Sequence, residues 1–410
     1  MYDYFLIILI LVILLESLLY LLIKWLKKDF QWLITSGDKE VKFNASITEK
    51  FLSESYNSEL GWDRKPNKKK NEKILSVGEI SNNFSTSQYS TNKFAERTNP
   101  GYENHSKKII TYGDSFAFCR HVNDNETWQH YLSVITDSNV VNLGVGNYGV
   151  DQAYRKMEMT IDGYKESAQY VVMMVVPETI VRIVNMWKHY YEYGNIYGFK
   201  GRYIHDNNDL FWMNNIVSDV FVNKNNRWKD VVSGYDYCYK TKFSRDIITF
   251  PFSLSLAKSH HRNLSLIYYL LANKLYNMLN INNSYISNRA WNHVLKCNNN
   301  YYKALYKNEN IVNLLKKIIM KFDKSVKENN LQPIFIMAPY QIDISEDNSC
   351  KFYQKFIDDI KNKTCVIDLA EKFVSKNNYD KLYVTNSIGA HLSKYGNKVV
   401  AETIAKVISI

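Results

Sequence analysis

A chain of 410 residues, 46% hydrophobic and 23% charged, is too apolar to stay disordered and long enough for one large domain or two smaller ones. Its formal net charge of +11 would suit nucleic acid or an anionic surface. The basic residues are scattered, however. The densest run, RKPNKKKNEK at 64–73, has no zinc-finger spacing, aromatic RNA-binding motif or basic zipper beside it, which argues against nucleic acid.

The first segment, YFLIILILVILLESLLYLLI at 4–23, carries a single charge, Glu16. About twenty such residues, rising about 1.5 Å each, cross a hydrocarbon core of about 30 Å. Residues 1–28 therefore read as a single-pass transmembrane anchor. A cleaved signal peptide fits less well, because no basic region precedes the apolar run and no small-residue cleavage site follows it. Lys24, Lys27 and Lys28 follow the span and only Asp3 precedes it. The positive-inside rule then puts the C-terminal bulk in the cytoplasm, whereas a role on surface glycans puts it on the other side; the sequence does not choose.

Residues 29–105 are polar, with turn-rich islands LGWDRKPN at 60–67 and FAERTNPGYEN at 94–104. They predict a membrane-proximal stalk that wraps onto the domain. From 106 to 410 strands and helices alternate. Strands are expected at 108–112, 139–143, 170–176 and 333–339 and in CVIDL, with helices near 126–136, 151–162, 309–329, 349–361 and 394–408. Such alternation predicts a parallel sheet with crossover helices. The Tyr-, Trp- and Asn-rich stretch at about 186–305 breaks the rhythm and reads as a partly helical insertion, either a lid or glycan platform or the core of a subdomain. Five cysteines, Cys119, Cys238, Cys297, Cys350 and Cys365, show no metal motif or disulfide framework, although Cys350 and Cys365 are spaced to permit a bridge.

The first strand ends in Gly113-Asp114-Ser115. Glycine permits a tight turn that holds Ser115 at the carboxyl end of a parallel strand, where ligands bind in open α/β sheets; alternatively, Asp114 or Ser115 merely caps the next helix. GVGNYG at 144–149 matches a dinucleotide fingerprint in form, but it is not in the first βα turn, and Glu166 precedes the next strand instead of ending it. No nucleotide or other cofactor, and no metal, is expected. Those glycines better serve as a loop of N–H donors for an oxyanion beside Ser115. A nucleophilic serine also needs a base. His391, in the loop before the last helix, has the better context; His121 is expected to sit on a helix leading away.

These three blocks in order, GDS, an N-x-G loop and a C-terminal histidine followed by GN and a final helix, resemble the SGNH (GDSL) hydrolases, over residues 107–185 and 310–410. The run YGDSFAFCRHVNDNETWQHYL…NLGVGNYGVDQAY is similar to bacterial members associated with surface polysaccharides. The resemblance implies a flavodoxin-like three-layer α/β/α sandwich. It further implies a membrane-anchored esterase or O-acyltransferase acting on acyl esters, acetyl esters of a cell-surface glycan among them. Ser115 would be the nucleophile, His391 the base, and the backbone at Ser115, Gly146 and Asn147 the oxyanion donors. Asp114, Glu178, Asn185 and Asp380 would be supporting residues. Two departures stand out: Pro177-Glu178-Thr179 replaces the family's third-block Asn, with Asn185 nearby, and Ile388 stands where an Asp would orient His391. Three readings stay open: a Ser–His dyad, a triad completed by Asp380 or Asp368, and a degenerate binding or scaffolding module.

Overall fold

The computed structural model describes residues 2–28, 34, 41–74, 85–206, 209–215, 228–280, 284–345, 351–374, 379–384 and 390–408. Its centre is a five-stranded parallel sheet of β5 (Ile109–Gly113), β6 (Val140–Asn142), β7 (Tyr170–Val175), β10 (Gln332–Met337) and β11 (Val366–Asp368). Every residue of β5, β6 and β7 is buried. Strands covered on both faces read as unbroken apolar runs, which is why they were visible in the sequence. The spatial order is β11-β10-β7-β5-β6. Counted along the domain this is the flavodoxin-like order 2-1-3-4-5, whose switch point lies between β5 and β7.

Helices cover both faces, giving the expected three-layer sandwich. On one side α4 (Trp128–Thr136) packs against the closing helix α12 (Lys394–Ala405). On the other lie α5 (Val150–Thr160), α10 (Glu309–Glu328) and α11 (Gln354–Ile360). Side-chain caps set three of the starts. Thr127 accepts from His130 N at 3.1 Å, Asn308 from Ile311 N at 3.3 Å and Ser393 from Gly396 N at 3.1 Å. Each satisfies a backbone donor that the first turn leaves open. In α12, Val399, Val400 and Ile404 are buried, at roughly 2 kcal/mol apiece.

The other labelled elements are α1 (Tyr2–Lys27), α2 (Ala45–Glu54), α3 (Ser115–Phe118), α6 (Thr179–Arg182) and the helices α7 (Phe252–Lys258), α8 (His260–Met278) and α9 (Ser284–Leu305). Three antiparallel ribbons, β1–β2 (Tyr56–Asn57, Gly61–Trp62), β3–β4 (Lys69–Ile74, Ser85–Ser90) and β8–β9 (Arg202–Asp206, Asp209–Met213), stand outside the main sheet. α1 is long and apolar enough to cross a membrane. Cys119, Cys238, Cys297 and Cys365 are free thiols; Cys350 lies outside the described residues.

The segment before β5 is stitched onto the sheet. Arg97 is buried and donates to the carbonyls of Phe118, Cys119 and Val122 at 2.6, 2.7 and 2.6 Å while pairing with Asp124. Glu59 and Asp63 pair with Arg155 and Lys156 of α5.

Candidate active site

Gly113 ends β5 at φ +142°, and a Cβ there would overlap the Met174 carbonyl; the turn that presents Ser115 needs glycine. Asp114 then does two things at once. Its Oδ1 accepts from Phe116 N at 2.8 Å and caps α3, and its Oδ2 accepts from Val176 N at 2.9 Å, tying the turn to the end of β7. The helix cap and the presentation of Ser115 are therefore one structure. Burial pushes the Asp114 carboxyl up from its ordinary range, against Arg182 and the two backbone donors.

Ser115, Gly146, Asn147 and His391 line one cavity of about 180 Å³, together with Arg120, Glu178, Arg182, Tyr191, Asn298, Asn299 and Tyr340. Ser115 is 6% exposed and His391 9%. The Gly146 Cα faces the serine: a Cβ built on it would lie 4.0 Å from Ser115 Cβ. Among the described residues, the N–H groups of Ser115, Gly146 and Asn147 reach no acceptor. Asn147 adopts φ +68°, so the loop turns sharply beside the serine.

His391 is set by backbone pairing and by rings. Its carbonyl accepts from Val384 N at 2.9 Å, and Ser393 N donates to Leu382 O at 2.8 Å. A Cβ at Gly396 would overlap that Leu382 carbonyl, so glycine lets α12 start against the strand-like segment carrying the histidine. The imidazole lies 5.4 Å from the Phe116 ring and 4.8 Å, edge to face, from His121. Its Nδ1 is buried without a partner. Burial first, then the nearby His121, Arg120 and Arg182 charges, holds its pKa well below the ordinary value, so the ring is neutral near pH 7.

Several expected roles are corrected. His121 does not lead away: α3 stops at Phe118, Cys119 is left-handed at φ 60° and His121 takes φ 71°, so the chain folds back and brings His121 against His391. Asn185 does not line the cavity. Its amide donates to Trp187 O at 2.9 Å and to Asp236 Oδ2 at 3.0 Å. Asp368 accepts from Tyr353 Oη and Ala370 N, both at 3.0 Å, and it does not bond the His391 Nδ1, which has no partner. The side chain of Asp380 and residue Ile388 lie outside the described residues.

Glu178 does line the cavity, inside a closed network. It accepts from Arg182 Nη2, from Tyr191 Oη at 2.8 Å and from Tyr340 Oη at 3.0 Å. Burial pushes its carboxyl up, but Arg182, the Tyr191 bond and Lys188 outweigh this and hold it below the usual range. A carboxylate so engaged is a wall of the site and not its base.

Two functional neighbours escaped sequence reasoning. Arg182 Nη1 donates to Tyr148 O at 2.9 Å and reaches Asp114 Oδ2 at 3.4 Å, joining the serine turn to the glycine loop; its only signal was a charge inside the apolar run TIVRIV. Trp62 comes from the segment read as a stalk. Its indole N–H donates to Gly146 O at 3.0 Å, and its own carbonyl accepts from Tyr148 Oη at 2.5 Å. Because a trans peptide holds C=O and N–H antiparallel, fixing the Gly146 carbonyl also fixes the direction of the Asn147 N–H.

No protein-family model and no curated protein matches the chain. Among solved structures it is similar to a protein assigned to the G-D-S-L lipolytic family from Desulfitobacterium hafniense DCB-2, at 12% identity and a TM-score of 0.33, covering 74% of this chain and 99% of that one. It is also similar to a member of the lipolytic protein G-D-S-L family from Veillonella parvula DSM 2008, at 10% identity and a TM-score of 0.36, covering 74% and 98%.

Proposed function

We propose that the protein is a membrane-anchored serine esterase or O-acyltransferase of the SGNH type, working through an acyl-enzyme on Ser115. The observation that carries this reading is the convergence of Ser115, His391 and three uncommitted backbone N–H groups on one cavity. A serine hydroxyl is a weak nucleophile at neutral pH and needs a base and a preformed oxyanion site. His391 removes the Ser115 proton as Oγ attacks the ester carbonyl. The N–H groups of Ser115 and of Gly146-Asn147 take up the oxyanion, and the imidazolium returns the proton to the departing alkoxide. Water or a sugar hydroxyl then accepts the acyl group from the serine. Phe116 and His121 hold the His391 ring where an acid would otherwise do so, giving a dyad; no cofactor takes part.

The opposite wall suits a hydroxyl-rich substrate. Asn298 Oδ1 and Asn299 Nδ2 are buried without partners on α9 and border the cavity. They offer an unpaired acceptor and an unpaired donor at the cavity, which the hydroxyl groups of a sugar would satisfy; an unpaired buried polar group otherwise costs about 1–3 kcal/mol. An acetylated cell-surface glycan fits these groups.

One observation favours a second reading, a catalytically degenerate binding or scaffolding module: His391 Nδ1 has no acid beside it among the described residues. In a serine protease, losing the orienting acid costs about four decades in kcat without abolishing catalysis. Turnover of p-nitrophenyl acetate separates the two. Ser115→Ala and His391→Ala are each expected to remove it, with the double variant no worse, because residues acting as a unit are not additive. Wild type inert on acetyl esters and acetylated glycans alike would support the module.

A further inference from the structure

We infer that α7 and α8 form a membrane-seated hairpin, sunk shallowly into lipid beside α1, so that the domain rides on the bilayer instead of hanging below it on a tether. This rests on reading α1 as a transmembrane anchor. Glu16, Leu19, Ile23 and Leu26, spaced three and four apart on α1, share one helical face. That face is not lipid-exposed. Ile23 and Leu26 belong to one apolar cluster with Leu256, Leu266 and Leu270, with Leu19 packed against it, and the Tyr20 and Phe252 rings lie 6.0 Å apart.

Glu16 explains how a charge is tolerated in the span. Its carboxylate accepts from Phe252 N at 2.5 Å, Ser253 N at 3.0 Å and Ser253 Oγ, and only 8% of the residue is exposed. The donors are the first amides of α7, so the hairpin reaches the level of Glu16.

Lengths then decide the depth. On α1 the residues from Tyr2 to Leu15 are exposed all round. Asp3 bounds the apolar run on one side, so only the 12 residues from Tyr4 to Leu15 lie unflanked in hydrocarbon, and they span only about 18 Å of a core of about 30 Å. The missing ~12 Å must come from the part of α1 already flanked by α7 and α8, which carries the hairpin on the order of 10 Å into lipid.

The outer face of α8 is built for it. Leu264, Tyr268, Leu275 and Met278 are 54, 64, 56 and 71% exposed, and their spacings of four, seven and three place them on one stripe. Phe250 and Leu254, 72 and 58% exposed, extend the surface. α8 contains no Asp or Glu. Lys274 lies 4.4 Å over the Trp25 ring, a basic–aromatic pairing of the kind found at a membrane–water boundary. α8 packs against α9, the helix that carries Asn298 and Asn299, so a rigid pair of helices links the lipid-facing stripe to the cavity.

The test is depth-dependent quenching of the full-length chain in phosphatidylcholine–phosphatidylglycerol vesicles. Leu275→Cys, Ile10→Cys and the control Val134→Cys, each made with Cys297, Cys350 and Cys365 replaced by serine, carry an environment-sensitive fluorophore. Lipid spin-labelled at a shallow acyl carbon is expected to quench the label at 275 by about half, as a helix buried about 5–10 Å requires. Deep-labelled lipid should quench position 10, and neither should affect position 134. Quenching at 10 with a water-like, unquenched label at 275 overturns the seating while leaving the anchor intact; absence of quenching at both positions overturns the anchor, and the seating with it.

Discussion

Replacing Trp62 with Phe removes one hydrogen bond to the glycine loop. The ring remains to pack edge-on against Tyr148, whose centroid is 5.8 Å away, and the Trp62 carbonyl still receives the Tyr148 hydroxyl. The indole N–H to Gly146 O, 3.0 Å long, is lost together with part of the ring's contact surface. A net hydrogen bond is worth about 1 kcal/mol, and leaving a half-buried acceptor unmet raises the cost toward about 2 kcal/mol. This cost falls on the orientation of the Asn147 N–H, which matters only once the oxyanion forms. Trp62→Phe is therefore expected to lower kcat on p-nitrophenyl acetate about 5- to 30-fold, at about tenfold per 1.4 kcal/mol, with KM nearly unchanged. Thermal unfolding should move by only a few degrees, about 2–4 °C per kcal/mol. Steady-state kinetics alongside a melt check it. Full activity in Trp62→Phe, or a rise in KM with kcat intact, would refute the assignment of that loop as the oxyanion donor.

Arg182→Met should cost about 3 kcal/mol or more, a Tm drop of about 6–12 °C, because it strips Glu178 and Asp114 of a buried cation; a melt matching wild type would contradict the network described. The pH profile follows from His391. The base must be neutral to act, and its pKa is held well below the ordinary value by burial and by the His121, Arg120 and Arg182 charges. The acid limb of kcat/KM should thus fall below about pH 6.5, the ordinary histidine value, and a limb at or above that value would show a solvated imidazole.

The sheet was legible because its strands are buried on both sides: YVVMMVV at 170–176 reads as a strand without any partner in view. Ser115 was legible through the glycine that its turn requires. His121 was misread because helical projection assumes the helix continues, whereas left-handed backbone at Cys119 and His121 ends it after one turn. Trp62 left no periodic signal, since β1 and β2 have two residues each and the segment is held by side-chain-to-backbone bonds. Asn298 and Asn299 sit in a polar stretch of α9 whose meeting with the serine loop, about 180 residues earlier, is a property of tertiary structure alone.

The central claim is that Ser115 is an activated nucleophile, and reaction with a fluorophosphonate probe tests it most directly. Wild type should form a covalent adduct that mass spectrometry finds on the tryptic peptide Ile109–Arg120, IITYGDSFAFCR, at Ser115. Ser115→Ala should give none, and His391→Ala should label at least about 100-fold more slowly, the lower end of what a general base supplies. An unlabelled wild-type protein, or an adduct that survives Ser115→Ala, would contradict the account.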